Sequence, residues 1–203
     1  MMYKVGIVVL ATLFTGNVNA QASDCVRIGK HQLGETISQW VRESPGYLEN
    51  LERRFNCSNR KRNKQICAKV ASIRSGTAEE IGSAEGKRWY SWRFRKGRLL
   101  QVQVEPNHFA TNRLDRTLNF DEEVAFLAQR YGEPSKIEKT PCHNAYGAQW
   151  ESRTALWRFA DGSLVAAVGG IEFADINNVS YIVFQSKEWL DTHGKKEHPT
   201  NPY

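Results

Sequence analysis

Histidines, cysteines and the acidic pair Glu122–Glu123 are the residues whose types and spacing could carry chemistry in this chain. A catalytic histidine needs a nucleophile or a carboxylate within hydrogen-bond reach. His31, His108, His143, His193 and His198 all fall in expected loops or tails, and none has a recognisable partner in the sequence around it. There is no G-x-S-x-G, Walker A, G-x-G-x-x-G or H-E-x-x-H motif. Glu122 and Glu123, with Asp121, stand in the first turn of an expected helix. There they favour the helix dipole and are expected to face solvent. No catalytic residue and no cofactor emerge, and the expectation is a protein without catalysis.

Cys25, Cys57, Cys67 and Cys142 permit three pairings. Cys57 and Cys67 enclose the short basic loop "SNRKRNKQI" and are expected to pair, which leaves Cys25 with Cys142. Each bridge would contribute about 2–4 kcal/mol, mainly by restricting the unfolded chain. A metal site is not expected. No C-x-x-C occurs, no histidine stands at ligand spacing from a cysteine pair, and adjacent Cys142–His143 suits no zinc geometry. The missing C-x-x-C also argues against disulfide exchange.

The cysteines agree with the N-terminus. Lys4, the apolar run "VGIVVLATLF" and the small-x-small exit "VNA" read as a secretory signal peptide over residues 1–20, cleaved after Ala20 or, as second choice, Ala22. The run is too short to span a bilayer comfortably, and no other long apolar stretch follows. The mature chain is therefore expected to be exported, periplasmic or extracellular, with no membrane span. The residues before Cys25 do not form a lipid-attachment site. Loss of Lys4 lowers the formal charge from +6 to +5. Much of the excess lies in Arg53, Arg54, Arg60, Lys61, Arg62, Lys64 and Lys69, read as a solvated face beside a helix end, with anion binding as the alternative. Nucleic acid is not an expected partner.

The remaining pattern sets the elements. Ile37, Trp40 and Val41 begin a helix, "SPG" breaks it, and Leu48, Leu51 and Phe55 mark a second. Residues 65–74 suit a helix or a strand, and "SGTAEEIGSAEGK" reads as loop. "RWYSWRF" and "LLQVQV" alternate as a hairpin, with Leu100, Val102 and Val104 on one face and Gln101 and Gln103 on the other. Asn119 caps a helix carrying Phe120, Val124, Leu127 and Tyr131, which Gly132 and Pro134 end. Further strands follow around Asp161–Gly162, "IEF" and "VSYIVFQ", then a short turn at "SKEWL" and a frayed tail from His193.

"WRFRKGRL" (92–99) is matched by "WRFADGSL" (157–164), and in each half a helix and a cysteine-bearing loop come first. This reads as a diverged tandem repeat. The expected fold is α+β, with each unit laying helices on one face of an antiparallel sheet: residues 21–105 and 106–192, then a disordered tail over 193–203.

The order of helix, "YGEP" stop, cysteine-bearing loop and "ALWRFADGSLVA" resembles the tandem units of secreted β-lactamase inhibitor proteins. It is also similar to the small envelope assembly lipoproteins of the SmpA/OmlA kind. The resemblance implies a helix-loop-helix packed on a four-stranded sheet in each unit. It also implies a disulfide tying the helical end to the following strand, a place that Cys57–Cys67 would fill. The chain departs from that family in having one cysteine in its second unit and no lipobox.

If Trp92, Phe94, Trp157 and Phe159 face the helices, alternation puts Trp89, Arg93, Arg95, Gln101, Gln103 and Arg158 on the opposite face, with Tyr146 and Trp150 near it. Aromatics beside arginines are frequent interface anchors. The expected function is binding another exported protein, or an acidic or glycan surface. A secreted hydrolase with a loop-assembled site and a structural envelope component are the alternatives.

Overall fold

The computed structural model describes residues 26–57, 63–107, 117–143, 146–171 and 177–193. The signal segment, Cys25, Arg60, Lys61, Arg62, His108, His198, most of "IEF" and the tail beyond His193 lie outside them. Two short strands, β1 (Arg27–Ile28) and β2 (His31–Gln32), form a miniature hairpin. Helices α1 (Ile37–Glu43), α2 (Tyr47–Phe55) and α3 (Lys64–Arg74) follow, then strands β3 (Glu80–Glu85), β4 (Arg88–Arg95) and β5 (Arg98–Pro106). The second half runs α4 (Phe120–Tyr131), β6 (Lys136–His143), β7 (Gln149–Arg158), β8 (Leu164–Gly169), β9 (Val179–Gln185) and α5 (Lys187–His193). Strands β3–β9 make one antiparallel sheet of seven strands in the order β3-β4-β5-β9-β8-β7-β6. The fold is α+β, and a single sheet runs through both halves.

Local chemistry accounts for the helices. Thr36 and Gln39 form a capping box on α1, and Ile37 and Trp40 bury its inner face. Glu35 carbonyl oxygen accepts from Leu99 N–H at 2.8 Å and Ile37 N–H donates to Gly97 at 3.1 Å, fixing the start of α1 on the β4–β5 turn. The ambiguous segment 65–74 is helical. The Cys57–Cys67 disulfide joins the end of α2 to α3 rather than to a strand, as the family resemblance had implied. Asn119 Oδ1 accepts from the N–H groups of Asp121 and Glu122 at 3.0 and 3.2 Å, capping α4.

One core joins α1–α4 to one side of the sheet. Trp40, Val70, Ile73, Phe120 and Leu127 from the helices meet Trp92, Val102, Trp157, Val165 and Phe184 from the strands. Two readings need correction. "EIGSAE" is strand β3, not loop: its Gly82 leaves room for Trp89, whose ring would come within 2.6 Å of any Cβ there. Leu100 does not share a face with Val102. The β4–β5 register slips between Arg93 and Phe94, making Leu100 an extra residue and turning Leu99 into the core.

The two W-R-F hairpins occupy matching places in their meanders but close differently. The first uses a two-residue turn, Lys96–Gly97, with φ of 50° and 74°. The second spans three residues, with Phe159 N–H bonded to Ser163 carbonyl oxygen at 3.1 Å.

Candidate functional site

Strand pairing turns the face away from α1–α4 into rows. Arg93, Gln101, Gln185, Leu164 and Arg158 lie side by side across five strands. Ser91, Gln103, Val183, Ala166 and Leu156 form the next row. The third carries Trp89 and Glu105 at one end and Tyr181, Val168 and Thr154 at the other.

Helix α5 covers part of this face. Ser186 N–H donates to Leu100 carbonyl oxygen at 2.9 Å, and Trp189 settles over the strands. Leu100, Gln101, Ala166, Val183 and Gln185 are buried there, outside the main core. Arg93 donates to Gln101 Oε1 at 2.7 Å, and its guanidinium lies 6.0 Å from the Trp189 ring. Arg93 and Gln101 therefore belong to the seat of α5, and Gln101, 2% exposed, is no open-face residue. The terminal turn read at "SKEWL" is a docked helix because Trp189 has this seat.

The other candidates divide. Arg95 and Arg158 are exposed, and Arg95 lines a cleft of about 650 Å³ with Arg93, Lys96, Glu79, Trp189 and His193. Gln103 is half-buried and donates to Glu105. Trp89 is half-buried across Gly82. Trp150 shares the face but sits on β7, four strands from Trp89 and so about 19 Å away across the sheet. Its Nε1 donates to Gly170 carbonyl oxygen at 2.7 Å. Tyr146, 96% exposed in the β6–β7 connection, stands apart from the rows.

The expected disulfide Cys57–Cys67 is present. Cys142 lies on β6 opposite Trp150 and makes no disulfide with a described residue; its expected partner Cys25 lies outside them. Arg53 and Arg54 on α2, and Lys64 and Lys69 on α3, are exposed cations. Among the described residues no group of His, Cys, Asp or Glu is placed to hold a metal ion, and no helix is long and apolar enough to cross a membrane.

One constellation escaped the sequence reading. His31 is buried, with Nδ1 2.7 Å from Glu35 Oε1 and Nε2 3.0 Å from Ser44 Oγ. An ionised carboxylate only accepts, so the proton is assigned to Nδ1 and Nε2 accepts from the serine hydroxyl. Glu35 is held in turn by Gln32 N–H at 3.3 Å. The imidazole stacks on Trp40 at 5.3 Å and meets the edge of Trp92 at 4.7 Å. His31 thus has both the carboxylate and the hydroxyl it lacks in sequence, in the connectivity of a serine–histidine–acid triad. The signal was the His-x-x-x-Glu spacing, hidden because it spans a strand and a turn rather than a helix. Ser44, at the C-cap of α1, is half-buried. Of the other described histidines, His143 is exposed on edge strand β6, and His193 stacks on Trp189 at 4.1 Å.

Burial governs the shifted tyrosines. It pushes the Tyr47 and Tyr90 phenols up, and it lifts Tyr131 to about 12 against the opposing pull of Arg130. The hydrogen bond from Arg74 lowers Glu52 on the exposed α2–α3 surface.

No protein-family profile matches this sequence, and no curated protein sequence is significantly similar to it. Among solved structures, a cysteine-rich secretory protein from Staphylococcus aureus aligns at a TM-score of 0.30 and 10% identity, covering 55% of this chain and 37% of its own.

Proposed function

We propose that this chain is an exported, disulfide-bonded binding protein without catalysis, which receives its partner on the part of the sheet that α5 leaves open. The carrying observation is the third row. Trp89, Glu105, Tyr181, Val168 and Thr154 are each only half-buried, so a broad, mixed aromatic and polar strip keeps solvent access. Gln103 borders the strip in the second row, while exposed Arg158 lies in the first, beside the seat of α5. Such a surface suits another exported protein or a glycan, where aromatic area supplies affinity and amides supply direction. The Cys57–Cys67 bridge and the signal-like N-terminus support the oxidising destination.

The test is cross-linked capture from an exported fraction with the wild type, Gln103→Arg and Arg158→Glu. Both variants should keep the wild-type melting temperature, and Gln103→Arg should lose at least about tenfold in capture of one defined partner, the scale of a single interface hot spot. Equal capture by Gln103→Arg would refute this use of the face.

The Ser44–His31–Glu35 geometry favours a second reading, a secreted hydrolase. Ser44 Oγ would attack an acyl carbon while its proton passes to His31 Nε2. The leaving group would take that proton, and water would release the acyl group. A fluorophosphonate should then modify Ser44, with fluoride leaving, and His31→Gln should abolish labelling. An unlabelled Ser44 peptide by mass spectrometry would remove this reading and leave the three residues as a buried clasp between the β1–β2 hairpin and α1.

A further inference from the structure

On the opposite side of the sheet, a cleft of about 390 Å³ lies between α4 and the strands. That volume falls within the range of about 300–1,000 Å³ common for small-molecule sites. Its floor is apolar: Val104, Leu127, Ile182 and Phe184 are all buried. Phe126, also lining the cleft, is 52% exposed, and the cleft's cations Lys87 and Arg130 are exposed too. Glu123 also lines it and is only 7% exposed, contrary to its reading as a solvent-facing first-turn residue.

Glu123 is half satisfied. Its Oε1 accepts from Arg88 at 2.6 Å. Its Oε2 is fully buried and has no hydrogen-bond partner. A buried acceptor left unpaired is costly, and a donor entering through the cleft would relieve that cost. The charges define that donor. Lys87, Arg88 and Arg130 face Glu85 and Glu123 around the cleft, an excess of one positive charge. An ammonium would add a second. A neutral hydroxyl satisfies Oε2 without adding charge, and the excess is then free for one anionic group at the exposed rim.

We propose that this cleft binds an apolar monocarboxylate carrying a distal hydroxyl, a compound of the ω-hydroxy fatty acid class. The hydroxyl donates to Glu123 Oε2, the hydrocarbon chain lies on the apolar floor, and the carboxylate meets Lys87 and Arg130. The site is independent of the protein partner proposed for the other face.

Calorimetric titration of the folded chain with 10-hydroxydecanoate and with decanoate tests this. The hydroxy acid should bind at least about tenfold more tightly, the effect of one hydrogen bond to a charged group. Glu123→Leu should erase that preference. Phe126→Ala, at an exposed position, should weaken both acids alike. Failure of either acid to bind, equal affinities in the wild type, or a preference that survives in folded Glu123→Leu overturns the proposal. If Glu123→Leu does not fold, Arg130→Glu decides: its exposed side chain is dispensable for folding, and it should weaken both acids at least about threefold while leaving 1,10-decanediol binding unchanged. Unaltered acid binding in Arg130→Glu overturns the proposal as well.

Discussion

Replacing Gly169 with alanine should cost far more than one methyl group suggests. Gly169 ends β8 where the β8–β9 register shifts beside Val168. A Cβ there would lie 2.5 Å from Phe120 Cδ2 and 2.8 Å from the Asn178 carbonyl oxygen. Ordinary carbon contacts are about 3.5–4.0 Å, so both neighbours would have to retreat by roughly 1 Å. Neither is free to do so. Phe120 is 2% exposed at the start of α4, and the Arg153 guanidinium sits 4.3 Å from its ring. Asn178 is backbone, tied into the sheet by its carbonyl bond to Gly170 N–H at 3.2 Å. Overpacking of this kind costs about 1–3 kcal/mol, and the entropy that alanine removes from the unfolded chain returns about 0.4–1 kcal/mol. At the middle of both ranges the net loss is about 1.3 kcal/mol, which corresponds to a fall in Tm of roughly 3–5 °C for a domain this size. Gly82→Ala is the internal control. The three atoms nearest its Cβ all belong to the Trp89 ring, the closest 2.6 Å away, and they are the outer end of a half-buried side chain rather than backbone. Thermal melts monitored by circular dichroism should rank Gly169→Ala well below Gly82→Ala. A Gly169→Ala melt within 1 °C of wild type would refute this account of how α4 seats on β8.

Two further outcomes follow from the same structure. Cys57→Ala/Cys67→Ala opens a loop with a sequence separation of 10, and the chain-entropy relation gives a loss of about 2.7 kcal/mol, readable as a lower urea midpoint with a somewhat steeper slope, because the unfolded chain expands. Tyr131 donates its phenol to the Arg27 carbonyl oxygen, and burial holds its folded pKa near 12 against 10.0 unperturbed. Its stabilising contribution is therefore whole below pH 10 and lost as the pH rises toward 12; Tyr131→Phe should flatten that part of the stability curve, and an identical slope in both proteins would contradict it.

What the sequence could show depended on how far apart the partners lie. The helix at 120–131 was legible because its cap, apolar stripe and glycine stop are all local. Strand β3 was not, because Gly82, Ser83 and Ala84 have little strand preference of their own and the pairing is justified by partners on the next strand: Trp89 packed over Gly82, and Trp92, which lies opposite core residue Ile81 and donates its Nε1 to Ser83. Glu123 was misread for the same reason: Arg88, which draws it inward, is 35 residues away. Alternation correctly separated Trp92 and Trp157 from Arg93 and Arg158, yet it could not show that helix α5 would cover part of the polar face. Gln101 looked open because nothing in "LLQVQV" announces Trp189.

The two W-R-F hairpins show how one residue redirects a face. Phe94 pairs with Leu99 across four residues, whereas Phe159 pairs with Ser163 across three. Because strand faces alternate with period two, the matching leucines part company. Leu99 is fully buried in the core, while Leu164 lies in the row with Arg158 and Gln185 on the other face. The second hairpin then runs regularly, with Val165 and Ala167 reaching the core. The first must recover its register, and it does so at the Leu100 bulge, which brings Val102 and Val104 back to the helices. Leu100 itself is left on the far side, buried, with its carbonyl oxygen taken by Ser186 N–H at the start of α5. The extra residue in the first hairpin is thus what gives α5 its platform. That platform buries Gln101 and ties Arg93 to it, while Trp89 and Gln103 lie half-buried beyond it.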